Sequence, residues 1–129
     1  MRIKHTLIAS LLVFASVPTV LVRAQEHTVT KVVAVAKPKE FDGQCPVTIE
    51  FVGTIFVSRH PARVTYRWER SDGAEGPRET VDIRSAGQGV STTWQFSAPR
   101  RNFDGWERLH VLAPTGITSN DATFRLHCR

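Results

Sequence analysis

This sequence predicts a single antiparallel β-sandwich of about seven strands, and three observations predict it. Apolar residues recur with a period of two in several separate runs, the spacing of a strand with one buried face. Gly, Pro, Asp and Ser collect between those runs, where turns need them. No stretch carries a sustained helical period, a low-complexity tract or a linker. The same strands closed into a barrel are the alternative architecture.

Taken in order, Thr28 to Ala36 is rich in Val and Thr and forms the first expected strand. Lys37 to Gly43 is a polar connection punctuated by Pro38 and Gly43. Cys45, Val47, Ile49 and Phe51 then alternate with Pro46, Thr48 and Glu50, and the pattern continues through Gly53 to Ile55 and Val57. A glycine inside such a run suggests a bend or bulge. Ser58 to Ala62 is a loop. Val64, Tyr66 and Trp68 alternate with Thr65, Arg67 and Glu69 and bring a large aromatic into the core, and Ser71-Asp72-Gly73 turns the chain into a hairpin.

Arg78 to Ile83 is a short strand, and Ser85 to Gly89 turns again. Val90, Thr92, Trp94 and Phe96 are the inward set of the next strand. Ser97 to Gly105 is a loop, Trp106 to Leu112 a strand with Leu109 and Val111 as its clearest core residues, and 113–121 another loop. Ala122, Phe124, Leu126 and Cys128 alternate with Thr123, Arg125 and His127 in the last strand.

The first 24 residues resemble an export signal. Arg2 and Lys4 precede an almost wholly apolar run from Leu7 to Val22, and Val22-Arg23-Ala24 suits a signal peptidase. The run is short for a spanning helix, which needs about 20 residues, so a retained anchor is the lesser alternative. The expected organisation is a signal peptide, 1–24, and one domain, 25–129, secreted or periplasmic, with no membrane span after cleavage. Three of the 17 basic residues fall in that leader and no acidic one does. The remainder holds 14 Lys and Arg against 12 Asp and Glu, a formal charge of +2. So mild a balance gives no reason to expect nucleic acid as a partner.

Two cysteines, Cys45 and Cys128, in a chain bound for an oxidising compartment predict one disulfide. Tracing alternate strand directions puts Cys45, Trp68, Trp106 and Cys128 at one pole, which agrees with that pairing. Two free thiols would need a reducing compartment.

Cys45, the Trp68 strand and Cys128, together with Gly105-Trp106-Glu107-Arg108-Leu109 and Ser119-Asn120-Asp121-Ala122-Thr123-Phe124, resemble the immunoglobulin-like and fibronectin-like sandwiches of small exported bacterial proteins. The resemblance implies a fold and an extracytoplasmic setting, with no activity attached. Cys128 lies one strand later than the second cysteine of antibody-type domains, and the only tyrosine, Tyr66, is too early for a tyrosine corner.

Catalytic templates are missing: the sequence has no Gly-x-Ser-x-Gly, Ser-x-x-Lys, His-Glu-x-x-His or phosphate-binding loop. No histidine pair has metal-ligand spacing, and no cofactor or metal is expected. Glu69 and Glu107 are expected on solvent faces as cross-strand charges beside Arg67 and Arg108. All three tryptophans, Trp68, Trp94 and Trp106, fit core or near-core positions by alternation; Trp106 borders a loop and is the one most open to a binding role. The loops of the cysteine pole mix six basic with six acidic residues. At the other pole Arg59, His60, Arg63 and Arg84 face mainly Asp82 and Asp121, a candidate contact for an anionic glycan or head group. The expected function is a secreted, non-catalytic binding module that uses its loops on an unknown protein or anionic surface ligand. A structural or adhesive component assembling through a sheet edge comes second, and an enzyme or enzyme inhibitor third.

Overall fold

Among the described residues, nine strands in two sheets account for the regular structure, and side-chain alternation decides which face of each is buried. The computed structural model describes residues 15–21, 28–97 and 102–129, with no helix among them. In chain order the strands are β1 (Val29–Lys37), β2 (Glu40–Gly43), β3 (Val47–Val57), β4 (Ala62–Arg70), β5 (Glu79–Ile83), β6 (Gly87–Phe96), β7 (Asn102–Ala113), β8 (Ile117–Thr118) and β9 (Ala122–Cys128). One sheet has the order β1-β3-β6 and the other β2-β9-β7-β4-β5, with β8 beside β7. Every pairing is antiparallel except that of β2 with β9, which is parallel.

Seven of these strands lie where the alternation predicts them. β2 and β8 do not, and the reason is physical. β2 is a four-residue outer strand with little burial, held by backbone bonds to β9 and flanked by Arg125 N–H to Lys39 C=O and Arg129 N–H to Gly43 C=O, both 2.7 Å. Such a strand carries no apolar pattern. β8 is two residues long and is continued by a side chain: Ser119 N–H donates to Leu109 C=O at 2.9 Å, while Ser119 Oγ accepts from Leu109 N–H at 2.9 Å.

The inner faces meet through Phe51, Trp94, Phe96, Phe103 and Phe124, whose rings contact one another at centroid distances of 4.9–5.8 Å. Gly53 is not a bulge. The β3 register runs unbroken through it on both sides, and the irregularity of that sheet lies between Val29 and Lys31. A Cβ at Gly53 would sit 2.5 Å from Leu109 Cδ2 and 3.1 Å from the Trp68 ring, so its bareness lets the two sheets close around that indole. Gly105 acts similarly: a Cβ there would meet Phe103 at 2.5 Å and Ser71 Oγ at 2.9 Å. That is why β7 runs through a stretch that reads as loop.

Cys45 and Cys128 are bonded, with Cα atoms 5.4 Å apart and 83 residues between them in sequence. On the opposite flank Asn120 ties the sheets together. Its side-chain amide donates to Ala34 C=O at 2.8 Å and its side-chain oxygen accepts from Ala34 N–H at 3.0 Å.

Candidate functional site

The arginine pole is only partly assembled. Arg63, on β4, and Arg84, after β5, line one open groove with Pro61, Ala62 and Asp82. Arg63 binds Asp82 through two bonds, 2.9 and 3.3 Å, and this pairing holds the Asp82 carboxyl below its ordinary range. Arg59 and His60 are exposed on the adjoining loop and do not line the groove. Asp121 is not at this pole: it precedes β9, whose first residue pairs with Glu107 about halfway along β7. Of the six basic residues expected in the loops of the cysteine pole, Arg100 and Arg101 lie outside the described residues.

Trp106 and Glu107 exchange the faces expected of them. Leu109 and Val111 point inward, so the same period sends Glu107 and Gly105 inward and leaves Trp106 outside. Trp106 is half-buried, with the Arg108 guanidinium 4.9 Å from its ring centroid. It lines a shallow groove of 420 Å³ with Lys39, Glu40, Asp104, Thr123 and Arg125, far from Arg59 and Arg63 in the fold.

Glu107 is 2% exposed. It lines a recess of 130 Å³ between β6 and the β4–β5 hairpin, together with Trp68, Arg70, Ala74, Glu75, Gly76, Thr92 and Thr93. No hydrogen bond reaches its carboxyl from the described residues. Loss of water pushes its pKa up to about 7; Arg70 opposes the rise and Asp72 adds to it. Arg70 is held elsewhere, stacked 4.1 Å from the Trp94 ring centroid and paired with Asp72. The recess is well below the roughly 300–1,000 Å³ of small-molecule sites. It suits water-sized occupants.

Glu69 is where the expectation of cross-strand charges is met. On the outer face it lies 3.6 Å from Arg67, 3.5 Å from Arg108 and 3.2 Å from His110, and Arg67 also reaches Glu75 at 3.3 Å. The β4–β7 register sets Glu69 opposite Arg108 and Arg67 opposite His110, so the lattice neutralises itself.

The sheet edges differ sharply from one another. β1 carries Lys31 and Lys37, and Asn120 occupies the Ala34 backbone. β2 is four residues with Glu40 and Asp42, and β5 is five with Glu79 and Asp82. These are the usual blunting devices: short length, charge and covered backbone. β6 is neither short nor charged, and side chains reach its backbone only near its start. Its ten residues, Gly-Gln-Gly-Val-Ser-Thr-Thr-Trp-Gln-Phe, include no charge and no proline, and they pair with β3 without a break from Gly87↔Phe56 to Phe96↔Val47. Buried Trp94 and Phe96 anchor the strand, while Ser91, Thr93 and Gln95 are exposed. Side chains of Ser85 and Gln88 reach the carbonyls of Gly87 and Gly89. From Val90 to Gln95 no strand among the described residues takes the far side of the backbone. Composition shows that this stretch is uncharged; only the strand order reveals that it is an outer strand.

Among the described residues no group of three or more His, Cys, Asp or Glu is placed to hold a metal ion. No helix in them is long and apolar enough to cross a membrane. Comparisons with protein-family models, with curated proteins and with solved structures found no match.

Proposed function

We propose that this chain is a non-catalytic interaction module that works outside the cytosol and engages its partner by adding a strand to β6. The observation that carries the reading is the contrast among edges: three are shortened, charged or covered, and β6 alone is long, neutral and unbroken. Strand addition draws affinity from main-chain bonds and specificity from alternate side chains, which here are Ser91, Thr93 and Gln95. This reading puts the contact at a sheet edge, as the second of the sequence-based readings does, rather than in the loops of the first.

The setting rests on separate support. A Cys45–Cys128 bridge fits an oxidising compartment. The basic and apolar start of the chain fits an export leader, and Val17, Val20 and Leu21 are 83%, 80% and 89% exposed, outside the packed sheets. The orders β1-β3-β6 and β9-β7-β4-β5 match strands A-B-E and G-F-C-C′ of immunoglobulin-like sandwiches, which supports that kinship for the fold. The bridge, from just before β3 to β9, is not the one that joins B and F in antibody domains.

An anionic ligand at the arginine pole has less behind it, because Asp82 already holds Arg63.

Site-specific photocrosslinking tests the reading. A photoreactive residue is placed at Thr93 on β6 or, as the control, at Thr80 on β5, in the cell that makes the protein. Adducts are expected from position 93 and not from 80. Equal yields at both, or none at 93, would end the proposal.

A further inference from the structure

We infer that the strand added to β6 is β6 of a second copy, paired antiparallel about a two-fold axis. This inference rests on the strand-addition reading above and names its partner. The argument is one of charge. A two-fold axis between identical antiparallel strands sets every side chain opposite, or diagonal to, a side chain of its own sequence. Any charge on such an edge meets its like, which destabilises the pair.

Self-pairing at β5 would bring Glu79 and Asp82 against the same acids, and at β2 it would do so with Glu40 and Asp42. On β1 it would oppose Lys31 and Lys37, and Asn120 already fills the middle of that edge. A foreign strand of opposite charge would suit any of those three. Only β6, neutral from Gly87 to Phe96, accepts its own copy with no like charges opposed between the two paired strands.

The geometry agrees with this. Side chains alternate in step on both strands, so antiparallel pairing in one continuous sheet keeps Val90, Thr92 and Trp94 of each copy on the core side. Ser91, Thr93 and Gln95 of each then meet on the outer side, where Thr and Ser pair well. The product is a six-stranded sheet, β1-β3-β6 followed by the same three strands of the second copy in reverse, and the symmetric contact closes at two copies.

The test uses the full processed chain in sedimentation velocity over a concentration series. The parent is expected to pass from monomer to dimer as concentration rises. Thr93→Lys, whose exposed side chain faces away from the core, is expected to raise the dimer Kd about tenfold or more at low salt. Its thermal midpoint should stay that of the parent monomer. Thr93→Glu should behave the same way, and an equimolar mixture of the Lys and Glu variants should recover the dimer. Gln95→Lys replaces the Lys variant, and Gln95→Glu the Glu variant, if one does not fold.

A parent that remains monomeric to millimolar concentration overturns the inference, as does a dimer that Thr93→Lys leaves intact. Crosslinking separates this failure from that of the parent reading. An adduct at position 93 whose mass is not twice that of the chain keeps strand addition and removes the second copy. A parent monomer with no adduct at 93 removes both.

Discussion

Replacing Glu107 with Gln should make the protein more stable at pH 8 and remove most of its pH dependence above pH 5. The carboxyl is 2% exposed, and burial raises its pKa from 4.5 in the unfolded chain to about 7 in the fold. Between those two values the native state binds a proton that the unfolded state has lost. The unfolded state therefore gains on the folded one as pH rises. The sign is opposite to that of a salt-bridged carboxylate: stability is greatest with Glu107 protonated and falls through the window from pH 4.5 to 7. At about 1.4 kcal/mol per pH unit, the parent should lose about 3 kcal/mol between pH 5 and pH 8. Gln is the neutral isostere and should be level over that range, overtaking the parent by a similar amount at pH 8. Urea unfolding followed by tryptophan fluorescence at both pH values, at a concentration that keeps the chain monomeric, measures this. A parent equally stable at pH 5 and 8, or a Gln variant that keeps the parent's slope, would show that the carboxyl is solvated and that the burial argument fails. Asp72 works the other way: its bonds from Arg70 and the Ala74 N–H hold its pKa down, so the stability it adds is lost as pH falls through the acid range. The optimum of the two should therefore lie near pH 4, between their ordinary values of 3.8 and 4.5.

Three further substitutions probe what holds the two sheets together. Cys45→Ser with Cys128→Ser opens a loop with 83-residue separation and should lower stability by about 4 kcal/mol in the chain-entropy account, measured as a shift in urea midpoint. Gly53→Ala puts a methyl 2.5 Å from Leu109 Cδ2 with Trp68 behind it, and should cost about 1–3 kcal/mol by overpacking, with altered tryptophan emission. Asn120→Ala leaves the Ala34 N–H and C=O without their partner, and should cost about 1–3 kcal/mol, with faster hydrogen exchange at Ala34 while the β3 amides keep their protection.

Much of the fold is legible in the sequence because a strand with one buried face writes itself as alternation. Val64, Tyr66 and Trp68 on β4 and Ala122 to Cys128 on β9 are buried in the expected parity. β2 and β8 are illegible for the converse reason: their stability is in backbone bonds and in the Ser119 hydroxyl, neither of which imposes an apolar spacing. Gly53 is ambiguous in sequence, since a bulge and a close approach of sheets both select glycine. Glu107 is the instructive error. Its parity with Leu109 and Val111 points inward, while its residue type, an acid beside Arg108, points to solvent. Periodicity carried the better information, because the strand fixes direction and the side chain must accept the desolvation that follows. The β6 edge lies further from reach, for no local pattern tells an outer strand from an inner one.

Packing does not explain why β6 is neutral. Ser91, Thr93 and Gln95 are exposed on the face away from the core. The other outer strands carry charges at such positions, among them Lys31 on β1 and Asp82 on β5. The core's demands are met by Val90, Thr92, Trp94 and Phe96 alone, so the fold leaves the alternate positions free to be charged or uncharged. An isolated monomer gains from charge there, because a long bare edge invites pairing with any exposed strand. A chain that keeps all three positions neutral, with an unbroken ten-residue register behind them, has an edge whose physical chemistry favours contact over solubility. That preference acts on the same strand that folding has already made rigid through Trp94 and Phe96, so little ordering entropy is left to lose when a second strand arrives.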